Sequence, residues 1–449
     1  MCQTRREILK LMGFGAAGLG LGNQLFLREA YGITPTNPFY DAMIQIFYEG
    51  GPSQTDTWDV KPGSPNNVFP AISVGASDIY GKPIMVAQHF QNIANLVQGG
   101  GNYGLALFRG MSHGNGEHQT SQQYMNCFWG TQVAPRKPST AAVMAQYYKD
   151  QTGSLGVPSV MVTGANGNAA NQAKGASVPT ALEVGNDASE VVNELSMNVD
   201  RDRYDRRLRI TGKVNERYLA TRQDAMVQAW NNQWQAAYNT TLQGVAKQAF
   251  DLTGKKILAG GANSSKDLAT GLTLVQELVK AGVPYLAIGV GGNDTHSNNR
   301  KGVTQNWGDD TDPLVAEMAR NLQASGKRVL IMMGGEFGRT PDTVASGRDG
   351  RDHHGSGFSW AALSINQPKF KTTAIGDTGP DGMFTEKEGT LVDPIHPGAL
   401  GTFVYRSLGF QIGMDPTYNV ALDAGYGLPV DAVELANGAK LMQQVGLAS

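Results

Sequence analysis

Three short apolar runs punctuate the chain, and each gives way to polar residues at its carboxyl end. Ala42–Tyr48 precedes Glu49-Gly50-Gly51-Pro52-Ser53-Gln54-Thr55-Asp56. Val283–Val290 precedes Gly292-Asn293-Asp294-Thr295-His296, and Val329–Met333 precedes Glu336-Phe337-Gly338-Arg339-Thr340-Pro341. Short continuous apolar runs bounded by turn residues read as buried strands. A helix predicted over 268–281 feeds the strand before Asp294. Asp312-Pro313 is read as opening the helix that feeds the strand before Glu336, with proline in its first turn. This β–α–β succession predicts parallel strands joined by right-handed crossovers. Tyr103–Phe108 and Pro158–Val162 are further strand candidates, and Ser139–Tyr148 reads as a helix with Ser139 as N-cap. Residues 185–255 differ in character: they are highly charged, poor in proline, and carry a helical apolar period through Tyr204, Leu208, Val214 and Tyr218. They are expected to form a helical insertion or cap beside the sheet. The fold class expected is α/β, a mostly parallel sheet with helices.

The strand ends carry the candidate chemistry. Open α/β sheets bind ligands outside the carboxyl ends of their strands. Asp294 with His296, Glu336 with Arg339, and the later group Arg351-Asp352-His353-His354-Gly355 lie close together in the sequence. They could meet at one metal or acid–base site. Asp, Asn and Gly also order loops. The chain has only 7 histidines, and their gathering in these groups favours the functional reading. A glycine-rich loop after the first strand lets the backbone approach a ligand closely.

Charge is nearly balanced, with 37 Lys and Arg against 39 Asp and Glu in 449 residues. No electrostatic argument for nucleic acid or an anionic membrane follows. The 2 cysteines, Cys2 and Cys127, form no metal-binding spacing. The amino terminus has an export signature. Arg5-Arg6 precedes a weakly apolar stretch, Leu11–Leu21, with five glycines from Gly13 to Gly22. Paired arginines before such a stretch match a bacterial twin-arginine signal. Glycine at that density disfavours an ordinary first helix. Residues 1–31 are assigned to this signal and 32–449 to the folded domain. The export machinery is then one expected partner, and the periplasm or cell envelope the expected destination. No clean Ala-x-Ala site follows, Ala30 being the nearest small residue.

Four segments together resemble one known family: Gly50-Gly51-Pro52-Ser53-Gln54-Thr55-Asp56-Thr57-Trp58-Asp59, Gly292–His296, Gly335–Pro341 and Gly350–His354. Their order and spacing are similar to the signatures of the domain-of-unknown-function 1501 family, over about residues 40 to 415. That family is related to the alkaline phosphatase and sulfatase superfamily. The resemblance implies a doubly wound sheet with a metal site at the strand ends. It implies Asp56, or alternatively Glu49, as an acid ligand after the first strand, then Asp294 and His296, then Glu336. Asp352 and His353 or His354 would complete the set. Carboxylates mixed with imidazoles suit zinc, manganese or iron. Two close ions could clamp an ester displacement, and Arg339 could hold a phosphate or sulfate group or order its loop.

This chain departs from the superfamily pattern. Phe337 stands where a second ligand of an Asp-His pair is expected, so one of two metal positions would be depleted. Asp294 and His296 lie closer together than the corresponding phosphatase ligands. The nucleophile is open between Thr120, His118 and Ser121, in a region where Thr120 and Ser121 could equally be helix caps. His113 could line the site or satisfy loop backbone. Two function classes follow. One is an exported metal-dependent hydrolase of phosphate or sulfate esters. The other is a non-catalytic cell-envelope protein that keeps the fold and binds a glycan, an anion or a partner.

Overall fold

The three apolar runs lie side by side. In the computed structural model, which describes residues 38–128, 139–141, 144, 159–162, 182–184, 248–341, 349–383, 394–410 and 432–447, twelve strands are seen among the described residues. They are β1 (Ala42–Tyr48), β2 (Ala71–Ser77), β3 (Pro83–Ala87), β4 (Tyr103–Ser112), β5 (Ser159–Val162), β6 (Leu182–Val184), β7 (Tyr285–Val290), β8 (Val329–Gly335), β9 (Gly338–Arg339), β10 (His353–His354), β11 (Ser356–Ile365) and β12 (Thr373–Ile375). The main helices are α1 (Gln91–Gln98), α2 (His118–Cys127), α3 (Lys266–Lys280), α4 (Asn299–Val303), α5 (Asp312–Ala324), α6 (Pro397–Ser407) and α7 (Ala432–Gln444). The signal assigned to residues 1–31 lies outside the described residues. So do most of the insertion read over 185–255 and most of the helix read over Ser139–Tyr148.

The central sheet has 8 strands in the order β12-β4-β11-β8-β1-β7-β5-β6. β1 pairs in parallel with both β7 and β8. Tyr48 sits opposite Val290 on one side and Gly335 on the other, so the three strands end level. β11 is antiparallel to both β8 and β4 and is the exception in a mostly parallel sheet. Every residue of β1 is buried. Such a strand must be apolar on both faces, which explains its continuous apolar run.

Alternating residues of β1 feed two cores. Ile44, Ile46 and Tyr48 join one cluster with Ile93 of α1, Leu272 and Val275 of α3, and Leu314 and Met318 of α5. Met43 and Phe47 join a second with Met125 of α2, Phe403 of α6 and Leu441 of α7. Side chains of α1, α3 and α5 thus pack with one set of β1 residues, and those of α2, α6 and α7 with the other. The polar exception in β1, Gln45, is satisfied: it accepts from the Tyr285 hydroxyl and its amide lies 3.4 Å from Asn126 Oδ1. Each large apolar side chain buried this way stabilises the fold by about 1.5–3 kcal/mol.

α5 opens at Asp312 with Pro313 in its first turn, as the sequence suggests, but it continues helical winding already under way. α4 runs into π-helical winding over Thr304–Thr311, which runs directly into α5. Asp312 also caps another helix: its carboxylate accepts from the backbone N–H groups of Asn92 and Ile93 at the start of α1. Burial pushes its pKa up to about 6 against those hydrogen bonds. Trp307, within the π-helical turn, stacks on Tyr48 at 3.9 Å and donates to Asn293 Oδ1 at 3.2 Å. That bond ties the helical side of the molecule to the loop after β7. No described helix is long and apolar enough to cross a membrane.

Candidate metal centre at the strand ends

Because β1, β7 and β8 end level, the loops after them must interlock. Gly50 has φ +108°, and a Cβ there would lie 2.2 Å from the Asp294 backbone nitrogen. Gly51 has φ +77°, and a Cβ there would strike the Phe337 ring at 2.4 Å. Glycine is required at both positions by conformation and by space. The Gly50 N–H donates to Glu336 Oε1 at 2.8 Å. The loop after β8 is in turn paired through β9 with β10, His353 opposite Arg339 and His354 opposite Gly338.

Four of the sequence candidates converge here. Asp294 Oδ1 lies 3.2 Å from His296 Nε2 and 3.3 Å from His353 Nε2. The two Nε2 atoms are 2.9 Å apart. His118, the first residue of α2, points its Nε2 at Asp294 Oδ2, 3.5 Å away. His118, Asp294 and His353 have ligand atoms within 4.8 Å of one another. A metal held at about 2.0–2.1 Å by tetrahedrally placed ligands separates neighbouring ligand atoms by roughly 3.3 Å, and these separations bracket that value.

The other face of each ring explains why the nitrogens face one another. His353 Nδ1 lies 2.7 Å from the Gly116 carbonyl oxygen. His296 Nδ1 lies 3.0 Å from Asp352 Oδ1, and His118 Nδ1 lies 2.9 Å from Glu336 Oε1. Each of these partners only accepts, so each Nδ1 carries the hydrogen. In the neutral rings all three Nε2 lone pairs are then turned toward the Asp294 carboxylate. Lone pairs in this number repel unless a cation sits among them. Imidazoles anchored at Nδ1 by a carbonyl or carboxylate are also the usual arrangement around a bound metal. A second sign is Glu336: its side chain is fully buried, and its Oε2 has no hydrogen-bond partner. These observations fit a divalent cation in the cluster.

Electrostatics agree. Burial works to raise Asp294, but the hydrogen bond and charge of Arg339, then His353 and His118, outweigh it and hold the carboxyl below its ordinary range. The hydrogen bond to Glu336 raises His118 against the opposing effect of burial. Burial, with the Arg339 charge, lowers His353 despite its bond to Gly116. Glu49 is pushed up by burial and then by the charge of Glu336. Glu49 stands beside the cluster rather than in it.

The remaining candidates have other partners. Asp56 is fully buried and paired with Arg351, Nη2 to Oδ1 at 2.9 Å and Nε to Oδ2 at 2.8 Å. Asn299 donates to its second oxygen at 2.8 Å. His354 turns away to the Met383 carbonyl, as the alternation of side chains along a strand demands once His353 faces inward. Ser121 donates to the Asn115 carbonyl at 3.1 Å. Thr120 is bound through its N–H and hydroxyl to Glu117, the N-cap of α2. Arg339 is completely buried and engaged with Gly50 O, Gly51 O, Arg351 O and Asp294. Asp352 is largely exposed beyond its bond to His296. His113 accepts from the Asn115 N–H and therefore donates from Nε2 to Glu336 O at 2.6 Å. Burial drives its pKa down to about 4 despite that bond, so it is a neutral prop for the β8 loop.

Sequence reasoning passed over three contributors: Arg351 and Asn299 as partners of Asp56, and Phe337 as a platform. The Phe337 ring lies 5.0 Å from the His118 ring and 4.5 Å from the His353 ring, centroid to centroid. A buried aromatic immediately after a strand-end acid was the available signal for that role.

Residues 40–363 match the family described as a protein of unknown function, DUF1501. The chain belongs to that family. The matched span takes in β1, β7, β8 and every residue of the histidine cluster. No curated protein matches this DUF1501 chain. Among solved structures it is similar to the C-terminal periplasmic domain of EcEptC from Escherichia coli in complex with Zn. The identity is 11%, over 86% of this chain and 87% of that one, with a TM-score of 0.35. A likeness that remote carries no argument about the site, whose chemistry rests on its own geometry.

Proposed function

We propose that this DUF1501 protein binds one divalent transition-metal ion, of the zinc, manganese or iron kind, through Asp294, His296 and His353, with His118 adjacent. The reading includes export by the twin-arginine route and an alkaline-phosphatase-like, doubly wound fold. Its activity on this reading is slow hydrolysis of a phosphate or sulfate ester. The observation that carries it is the convergence of three imidazole Nε2 atoms on one carboxylate, each ring anchored through Nδ1. A bound ion would supply Lewis acidity and a nucleophilic water. The protein's own residues would do the rest. His118, hydrogen-bonded to the buried Glu336, can take a proton at Nε2 and share its charge with that carboxylate. Phe337 keeps water from the inner face of His118 and His353. Thr120 and Ser121 are engaged as capping groups, which favours water over a side-chain hydroxyl as nucleophile.

A second reading, a non-catalytic envelope protein that binds an anionic or glycan ligand, is favoured by one observation. Arg339, the group best suited to an ester oxyanion, is wholly buried and bonded to backbone. Metal analysis of the purified protein, with a panel of phosphate and sulfate esters, tests both. One tight equivalent with measurable turnover supports the hydrolase. One equivalent without turnover on any ester supports the binding protein, and no metal retained at neutral pH would sink the metal centre and the hydrolase with it.

A further inference from the structure

Arg339 is the least ordinary group in the site. Its guanidinium is fully buried, yet among the described residues its only carboxylate ion-pair partner is Asp294, itself half exposed. The other three bonds go to neutral carbonyls: Gly50 and Gly51 after β1, and Arg351 before β10. Its backbone is clamped as well, with Gln54 donating to Arg339 O and accepting from Arg339 N, both at 2.9 Å. The Phe337 ring closes one side, 5.7 Å from Cζ. Nothing in this set lets the side chain swing out to meet a substrate. An arginine also does not lose its proton at any working pH. The result is a permanent positive charge fixed against the ligand carboxylate, in a pocket lined by carbonyl oxygens that suit a cation.

We propose that Arg339 is a built-in second cation, holding by covalent attachment the place beside Asp294 that a second metal ion would otherwise take, so that the centre is limited to one exchangeable ion. The inference rests on the single-ion reading above. It explains why Phe337 is tolerated as a neighbour: with a guanidinium already neutralising Asp294, no further ligand is needed there.

The test is zinc stoichiometry after chelator treatment and reloading with zinc sulfate alone, measured on the full chain. The unsubstituted protein is expected to hold one tight equivalent. Arg339→Gln keeps much of the shape and removes the charge. Asp294 and Glu336 are then left without a fixed cation between them, and a second equivalent is expected. Arg339→Lys should stay at one. A folded Arg339→Gln protein that still holds one overturns the proposal. Phe337→His guards against a variant that does not fold. It adds an imidazole beside His118 and His353 while the guanidinium stays, so it should remain at one equivalent, and two would overturn the proposal independently. Two equivalents in the unsubstituted protein overturn it as well. No zinc in the unsubstituted protein instead removes the single-ion reading on which it rests.

Discussion

Two acidic motifs of this chain end in opposite states. Asp56, after β1, is completely buried with the guanidinium of Arg351 and the amide of Asn299, and both its oxygens are served by donors. Asp294, after β7, also has an arginine, but it faces three imidazoles whose Nε2 atoms have no hydrogen to give while neutral. Composition does not separate them, since both are Asp beside Thr in glycine-containing loops. The balance of donors and acceptors does. Where every carboxylate oxygen has a hydrogen-bond donor the acid is finished and structural. Where acceptors outnumber donors, something positively charged is wanted.

The comparison breaks most severely if Asp56 is not structural. Asp56→Ala leaves Arg351 buried without a counter-charge, and removing one partner of a buried pair costs about 3–5 kcal/mol. Urea denaturation should show a loss of that size, and a loss under about 1 kcal/mol would mean that the pair is not the closed unit drawn here. The next effect belongs to the open cluster. His353→Ala should weaken zinc binding by more than roughly 100-fold, since even groups one step behind a ligand are worth about 10–100-fold. His353 is a cleaner probe than Asp294, whose loss would also strand Arg339. The metal-free His353→Ala protein should be about as stable as the parent, because a crowded lone pair is removed along with the ring. Unchanged zinc affinity by competition titration would count against the centre itself.

A smaller effect tests the outer layer. Asp352 touches the cluster only through His296 Nδ1 and is mostly exposed. Asp352→Asn keeps an oxygen acceptor but removes its charge, so affinity should drop by about 10-fold, the lower end of the range for such groups. Stability should not change, because exposed pairs contribute little. Should affinity hold while stability falls, Asp352 orders the β10 loop and has no influence on the metal.

The sheet was largely legible. The apolar runs at Ala42–Tyr48, Val283–Val290 and Val329–Met333 match β1, β7 and β8, because strands buried on both faces leave a run no surface element shares. The antiparallel β11 and the β9–β10 pair were not legible, since strand pairing depends on partners distant in sequence. The same limit hid Arg351 from Asp56, 295 residues away. Within the site, Asp294, His296, Glu336 and His353 were named from type and position. The choice between His353 and His354 needed the strand itself, whose alternation allows one of two neighbours to face inward. The choice among His118, Thr120 and Ser121 needed the cap. Once Glu117 places the helix start, Thr120 and Ser121 are drawn into capping and loop bonds and His118 is left at the cluster. The export signal and the insertion lie outside the described residues, so those expectations stand as they were drawn from sequence.

The smallest effect sharpens the contrast most directly, because it depends on pH. A finished cluster should not respond to mild pH change, whereas one rich in unprotonated imidazole should. In the metal-free protein Glu336 raises the pKa of His118 above its ordinary value. A group whose pKa is higher folded than unfolded favours the folded state while protonated. Its contribution is therefore fully present below the unfolded value, about 6.5, and fades as pH climbs through the raised one. Urea midpoints of the metal-free protein should fall slightly from pH 6 to pH 8, and His118→Gln should remove that slope. The change should be modest, because His118 is about one-third exposed and water screens its pairing. Zinc should abolish the slope as well, since an ion supplies at every pH the positive charge that the proton supplies only below the His118 pKa. If the midpoint instead rises across this interval with a slope that His118→Gln removes, His118 is held neutral in the folded state, and the bond to Glu336 must be drawn differently.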